Sequence, residues 1–262
     1  MTTDPNFGSA RDHAAEQAAA CPFTAAAPDV ANAVVDCRGD VRRIILWQVC
    51  LHESGHATIA KLTGQSVGGA LARLTPTGYT GRVWGEAGNA CNLVEKSAER
   101  LSLCSRLADV MPQPGEARND CASIFLISHD RMVELLGGIA AERVLCDNAP
   151  LDGSSLDQQE AAAFAAIGCA PAAVEAYLVY AMTQAMALIE ANKSVVLAIA
   201  AALFEREELS GEEIDGIIAA TIARDRLKAE QERRSRWAAT MASAAAFKVT
   251  LGNSEEYNTQ KR

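Results

Sequence analysis

The sequence predicts a mainly α fold with one small β-sheet. Three observations carry this. Apolar residues recur at three- and four-residue spacing through most of the chain after residue 40. One stretch only, residues 67–86, is β-prone and broken by Gly78 and Gly81. Helix-start signals stand at Asp40, at Pro171 and at Ser210 with Glu213.

The elements follow in order. Residues 1–38 are Ala-rich, carry Pro5, Pro22 and Pro28, and read as a loosely ordered arm or short helices. With Asp40 as N-cap, a first helix runs to Gly64, a natural residue to follow a helix end. It places Ile45, Val49, His52, His56, Ile59 and Ala60 on one largely apolar face. Residues 67–86 then form a hairpin or small sheet. Residues 87–127 are mixed, with a loop at 111–120. A helix over 129–146 puts Met132, Leu135, Leu136, Ile139 and Ala140 on one side. A polar turn leads to an Ala-rich helix starting near Leu156. Helices over Pro171–Asn192 and Lys193–Glu208 follow, and another begins at Ser210 with a capping box. Beyond Ile222 a charged helix fades into a polar, disordered end. No internal repeat is present. The expected divisions are 1–38, a domain over 39–222, and a tail over 223–262.

Composition limits the function. The 262 residues are 49% apolar, enough for a sizeable core. A net charge of -9 excludes the basic face that nucleic acid needs. The N-terminus lacks the basic and apolar regions of a secretory signal. The longest apolar runs, such as Ser194 to Phe204, fall short of the roughly 20 residues that span a bilayer. The eight cysteines form no CxxC pair and read as reduced thiols. A cytoplasmic location is expected.

The stretch LHESGHATIAKL, residues 51–62, carries the chemistry. His52 and His56 stand one helical turn apart, about 6 Å, which suits two imidazoles on one tetrahedral zinc. Glu53 is turned about 100° from His52, beside the metal, where a general base belongs. Gly55 sits mid-helix at a cost of roughly 1 kcal/mol with no local benefit. A catalytic zinc needs a third protein ligand. His13 lies in the arm and His129 begins a helix, which leaves carboxylates: Asp157, Asp152 or Glu142. By spacing alone Asp157 reads equally well as a first-turn acid favoured by the helix dipole.

The motif HESGHA resembles the HEAGHA of the FtsH-type zinc proteases. Further stretches resemble that family in its own order: TPTGYTG at 75–81, LLGGIAAERV at 135–144, DGSSLDQQEAAAFA at 152–165 and LFEREELSGEEI at 203–214. The likeness covers residues 42–216 in patches. It implies a zincin-like helical peptidase domain, with zinc on His52, His56 and Asp157 and with Glu53 as base. Glu142 is then free to orient a ligand histidine. The segment Thr80, Gly81, Arg82, Val83 and Trp84 would be the edge where an extended polypeptide substrate adds as a strand.

The departures are specific. There is no Gly-Lys dipeptide, hence no Walker A loop, and no membrane segment. Ile139 replaces the family's usual arginine, Arg143 its second glutamate, and Leu156 its asparagine. The expectation is a soluble, ATP-independent zinc endopeptidase for flexible or unfolded chains. The family's ring further implies a homo-oligomer, a hexamer, and a separate ATPase is a conceivable partner. Two alternatives remain: a non-proteolytic module that binds peptides or a partner, and a regulatory protease with one protein substrate.

Overall fold

The computed structural model describes residues 41–85, 97–112, 116, 122–146 and 154–259. The expected arm, Asp40, Asp152 and most of the loop at 111–120 lie outside them. The chain divides into two units that meet between Ile218 and Ala219.

The first unit is built around α1 (Val41–Leu62). From Trp47 to Ala60 every residue of this helix is buried, so it has no solvent face at all rather than one apolar face. Its end is set by Gly64, at φ 77°, with the Gln65 N–H bonded to the Ala60 carbonyl at 2.8 Å. A hairpin of β1 (Gly69–Thr75) and β2 (Gly78–Trp84) packs on one side of α1. Ala72 pairs with Gly81 and Ala70 with Val83, and both alanines are buried.

The next elements are α2 (Ser97–Asp109), α3 (Ala122–Leu135), α4 (Gly137–Leu145) and α5 (Ser154–Gly168). A single helix over 129–146 was expected, but Leu136, at ψ -7°, turns the chain between α3 and α4. The two glycines that follow it start α4 and let it lie close against α1. As a result Leu135 and Ile139 do not share one helix face. His129 lies within α3 rather than at a helix start.

A 3-10 turn, Pro171–Ala173, opens α6 (Val174–Ala191), and α7 (Lys193–Arg206) packs along α1. The sequence offered no spanning segment, yet Pro171–Ala191 is long and apolar enough by length and composition to cross a membrane. Glu175, Thr183 and Gln184 interrupt its apolar run and hide it from a reading by continuous runs. At the end of α7, Glu207 takes a left-handed conformation, φ 64°, and stops the helix. The chain then forms β3 (Glu208–Ser210), an unexpected third strand that pairs antiparallel with β1. The strand order β2-β1-β3 leaves β2 at an edge.

The last helix, α8 (Gly211–Thr259), starts with the expected capping box. The Ser210 N–H donates to Glu213 at 2.8 Å, and the Glu213 N–H to the Ser210 hydroxyl at 3.3 Å. In the second unit the tail does not fade after Ile222 but stays helical to Thr259. Glu230 pairs there with Arg233 and Arg234 at 2.7 and 2.6 Å, spacings that support an exposed helix.

Helices α1 and α4 approach closely. A Cβ on Gly55 would fall on the Gly137 carbonyl and stand 2.7 Å from the Ala141 Cβ. That contact is the benefit the sequence did not reveal for a mid-helix glycine. Gly55→Ala meets backbone, so its overpacking should fall at the upper end, about 3 kcal/mol, a net destabilisation of about 2 kcal/mol after the roughly 1 kcal/mol that Ala gains in a helix. Gly137→Ala should cost less, since its Cβ would meet its nearest atoms only at 3.0 Å. Urea denaturation of both variants measures this, and a Gly55→Ala protein as stable as the parent would refute it.

Candidate metal centre

Residues 48, 52 and 56 fall one above another on α1, and each makes a contact that aims the site. His52 Nδ1 lies 2.5 Å from Glu142 Oε1, on α4. The other Glu142 oxygen accepts a hydrogen bond from Gln48 Nε2 at 2.8 Å, and Glu142 is fully buried. His56 Nδ1 lies 2.8 Å from the backbone carbonyl of Glu134, on α3, and 3.5 Å from its Oε1. A carbonyl and a carboxylate can only accept, so each Nδ1 carries the hydrogen. Each neutral ring then presents a lone pair at Nε2.

Those two Nε2 atoms are 3.0 Å apart. Asp157 Oδ2, from the first turn of α5, completes the group at 3.2 Å from His52 and 3.6 Å from His56. Three electron-pair donors thus converge on one point in a buried setting, a repulsive arrangement unless a cation lies among them. His52, His56 and Asp157 form a group that could hold a metal ion.

The electrostatics agree. Burial alone would lower the His52 pKa, but Asp157 and Glu142 outweigh it and bring it up to about 9. Burial opposes the charge on His56 too, and there Asp157 and Glu134 outweigh it. Two protonated rings cannot face each other across 3.0 Å, so the pair shares one proton. For Asp157 burial pushes upward, yet the two histidines hold it well below the usual carboxylate range. Without an ion, a proton neutralises the cluster.

Space for the rings is set by glycine. A Cβ on Gly138 would stand 2.5 Å from His52 Cε1 and Nε2. Glu53 is buried, and its carboxylate lies against Gly81 of β2. Of the expected edge residues, Gly81 therefore touches the base candidate, and Val83 is buried beneath the sheet. Arg82 is exposed and stacks over the Trp84 ring at 5.1 Å, and Thr80 pairs with Arg73. His129 stays apart from this cluster, with Nε2 2.7 Å from Gln184 Oε1 and Nδ1 3.1 Å from the Tyr177 hydroxyl. Of the eight cysteines, four lie among the described residues: Cys50 and Cys104 are buried, Cys146 and Cys169 half-buried, and none of the four is in a disulfide. Sequence reasoning missed Gln48, Glu134 and Gly138. Gln48 alone had a signal, one turn ahead of His52.

Comparison of the sequence with models of known protein families and with curated proteins finds no match.

A divalent ion should bind at one per chain and displace the shared proton. Its apparent affinity should then rise about tenfold per pH unit and level off near pH 9. Calorimetry in buffers of differing ionisation enthalpy measures the released proton. Gly138→Ala should push the His52 ring aside and weaken binding by about 10–100-fold, with helical circular dichroism unchanged. Unaltered affinity in that variant would remove His52 from the ligand set.

Proposed function

We propose that the protein is a zinc-dependent endopeptidase that cleaves flexible or unfolded polypeptide without ATP. The observation that carries this is the convergence of His52 Nε2, His56 Nε2 and Asp157 Oδ2 beside an α1 glutamate that lies under an edge strand.

The donor set and its spacing support zinc. Tetrahedral ligands about 2.0–2.1 Å from zinc lie about 3.3–3.4 Å from one another, and the three separations here are 3.0, 3.2 and 3.6 Å. Three protein ligands leave one position of a tetrahedral site open, as a catalytic site requires. Zinc bound there supplies a Lewis acid for water and for the peptide carbonyl. The other roles fall to the chain. Glu142, braced by Gln48, and Glu134 fix the two rings through their Nδ1 hydrogens. The Glu53 carboxylate takes the proton from water and passes it to the leaving amine nitrogen. The open side of β2 accepts an extended peptide as an added strand, bonded backbone to backbone. These 262 residues carry no Walker A loop, and the substrates of the proposed activity are accordingly flexible or unfolded chains.

The resemblance to FtsH-type peptidase domains supports the same ligand set and extends the proposal to a hexameric ring. A separate ATPase partner has no support in the residues of this chain.

Glu53→Gln should abolish cleavage of casein while zinc stays bound, because the base is lost and the ligands remain. Asp157→Asn should lose most zinc and all cleavage, whereas Glu142→Gln should keep zinc and lose cleavage in part. A chelator should stop cleavage, added zinc should restore it, and ATP should change nothing. The measurements are zinc per chain and casein hydrolysis at equal helical content. Full activity in Glu53→Gln would overturn the mechanism, and a zinc-loaded protein that cleaves no polypeptide would make the site a binding module instead.

A further inference from the structure

We infer that Gly81 is a positioning residue: its lack of a side chain lets the edge strand lie directly on the Glu53 carboxylate and so fixes where that base points. This rests on the peptidase reading above and deepens it.

The contact is close and specific. A Cβ at position 81 would land on Glu53 Oε1, and would stand 2.8 Å from both Glu53 Cδ and Val49 Cγ1. Glu53 is 6% exposed and Val49 1%, so neither has open solvent to move into. Gly81 itself is not free to retreat. Its register on β1 is set opposite Ala72, whose own N–H donates to the Glu207 carbonyl at 2.8 Å. The next partner pair along the strand that points toward α1, Ala70 with Val83, is buried. The strand is therefore pinned from behind, and position 81 faces two side chains of α1, the flexible end of Glu53 and a methyl group of Val49.

The consequence differs from that of the other glycine contacts at the site. At Gly55 an added methyl meets backbone, which does not yield. At Gly81 it meets side chains, first the Glu53 carboxylate, whose torsions let it turn within its buried setting at the cost of its position, and then a Val49 methyl. A methyl group at position 81 then leaves the fold and the ligands in place and misaims the base.

Among the described residues, the strand that carries Gly81 is one of the two edge strands of the sheet. A peptide added there would run about 4.8 Å from β2. One residue of the sheet thus faces the base from one side while its strand faces the substrate from the other. Gly81 sets the distance between the two.

The test is a double-mutant cycle of Gly81→Ala and Glu53→Asp in the full chain, with zinc content, casein hydrolysis and thermal stability measured for all four proteins. Aspartate is one methylene shorter and withdraws the carboxylate from position 81. Gly81→Ala in the parent should keep zinc at the parent level and lower kcat on the order of 100-fold, as a misplaced catalytic group does, with KM nearly unchanged. In the Glu53→Asp background the same substitution should cost clearly less, because the carboxylate clash is gone and only the contact with the Val49 methyl remains. The melting temperatures should show the same coupling, with a smaller drop from Gly81→Ala when residue 53 is Asp. Equal effects in the two backgrounds, by activity and by melting, would overturn the proposal, as would loss of zinc in Gly81→Ala. A parent protein that cleaves nothing would overturn the peptidase reading by itself, and the melting cycle would still decide the Gly81–Glu53 contact.

Discussion

The close approach of α1 to α4 governs the rest of the site. Gly55 and Gly137 meet with no room for a side chain on Gly55 and little on Gly137. That closeness brings Glu142, one turn further along α4, to His52 Nδ1 at 2.5 Å inside a fully buried setting. It also lays Gly138 against the His52 ring. A buried carboxylate that close to an imidazole fixes the tautomer, and the tautomer decides that Nε2 faces Asp157. Had the helices packed at an ordinary 8–10 Å separation with larger residues between them, Glu142 would reach His52 only by crossing a layer of side chains. The site is made by missing atoms as much as by present ones.

A second constraint acts from the other side of α1. The hairpin is held by Ala70 and Ala72 against the helix, and its outer strand brings Gly81 onto Glu53. Neighbouring positions on one helix, 52 and 53, are thus claimed by different layers: His52 by α4, Glu53 by the sheet. The turn of about 100° between successive residues becomes a division of labour only because α1 is covered on every side from Trp47 to Ala60. A surface helix with the same motif would leave one of the two side chains in water, free to choose its rotamer.

Local patterns were legible in the sequence and long-range ones were not. The His-Glu-His spacing, the Gly64 stop, the hairpin and the Ser210–Glu213 cap each depend on residues within a few positions, and each stands where expected. Asp157 also stands beside both histidines, although spacing alone could not separate it from a helix-capping acid. The break at Leu136 was hidden because helical apolar spacing continues across it. The strand β3 is three residues long, too short for an alternation to show, and exists because β1 offers it a partner. The roles of Gly138 and Glu134 depend on which helices meet, which no local window contains. Apolar spacing likewise put α1 half in water, when six other elements cover it: α3, α4, α6, α7, β1 and β2.

The three donors come from widely separated parts of the chain, His52 and Asp157 being 105 residues apart. During synthesis the chain presents its two histidines and its glutamate long before the third donor emerges. Until α5 has left the ribosome and docked, the histidine pair has no carboxylate to close the group. The folding order therefore acts as a time delay. A nascent chain holds the histidine and glutamate half of the site for about a hundred residues of elongation before the carboxylate that completes the ion-holding group is made.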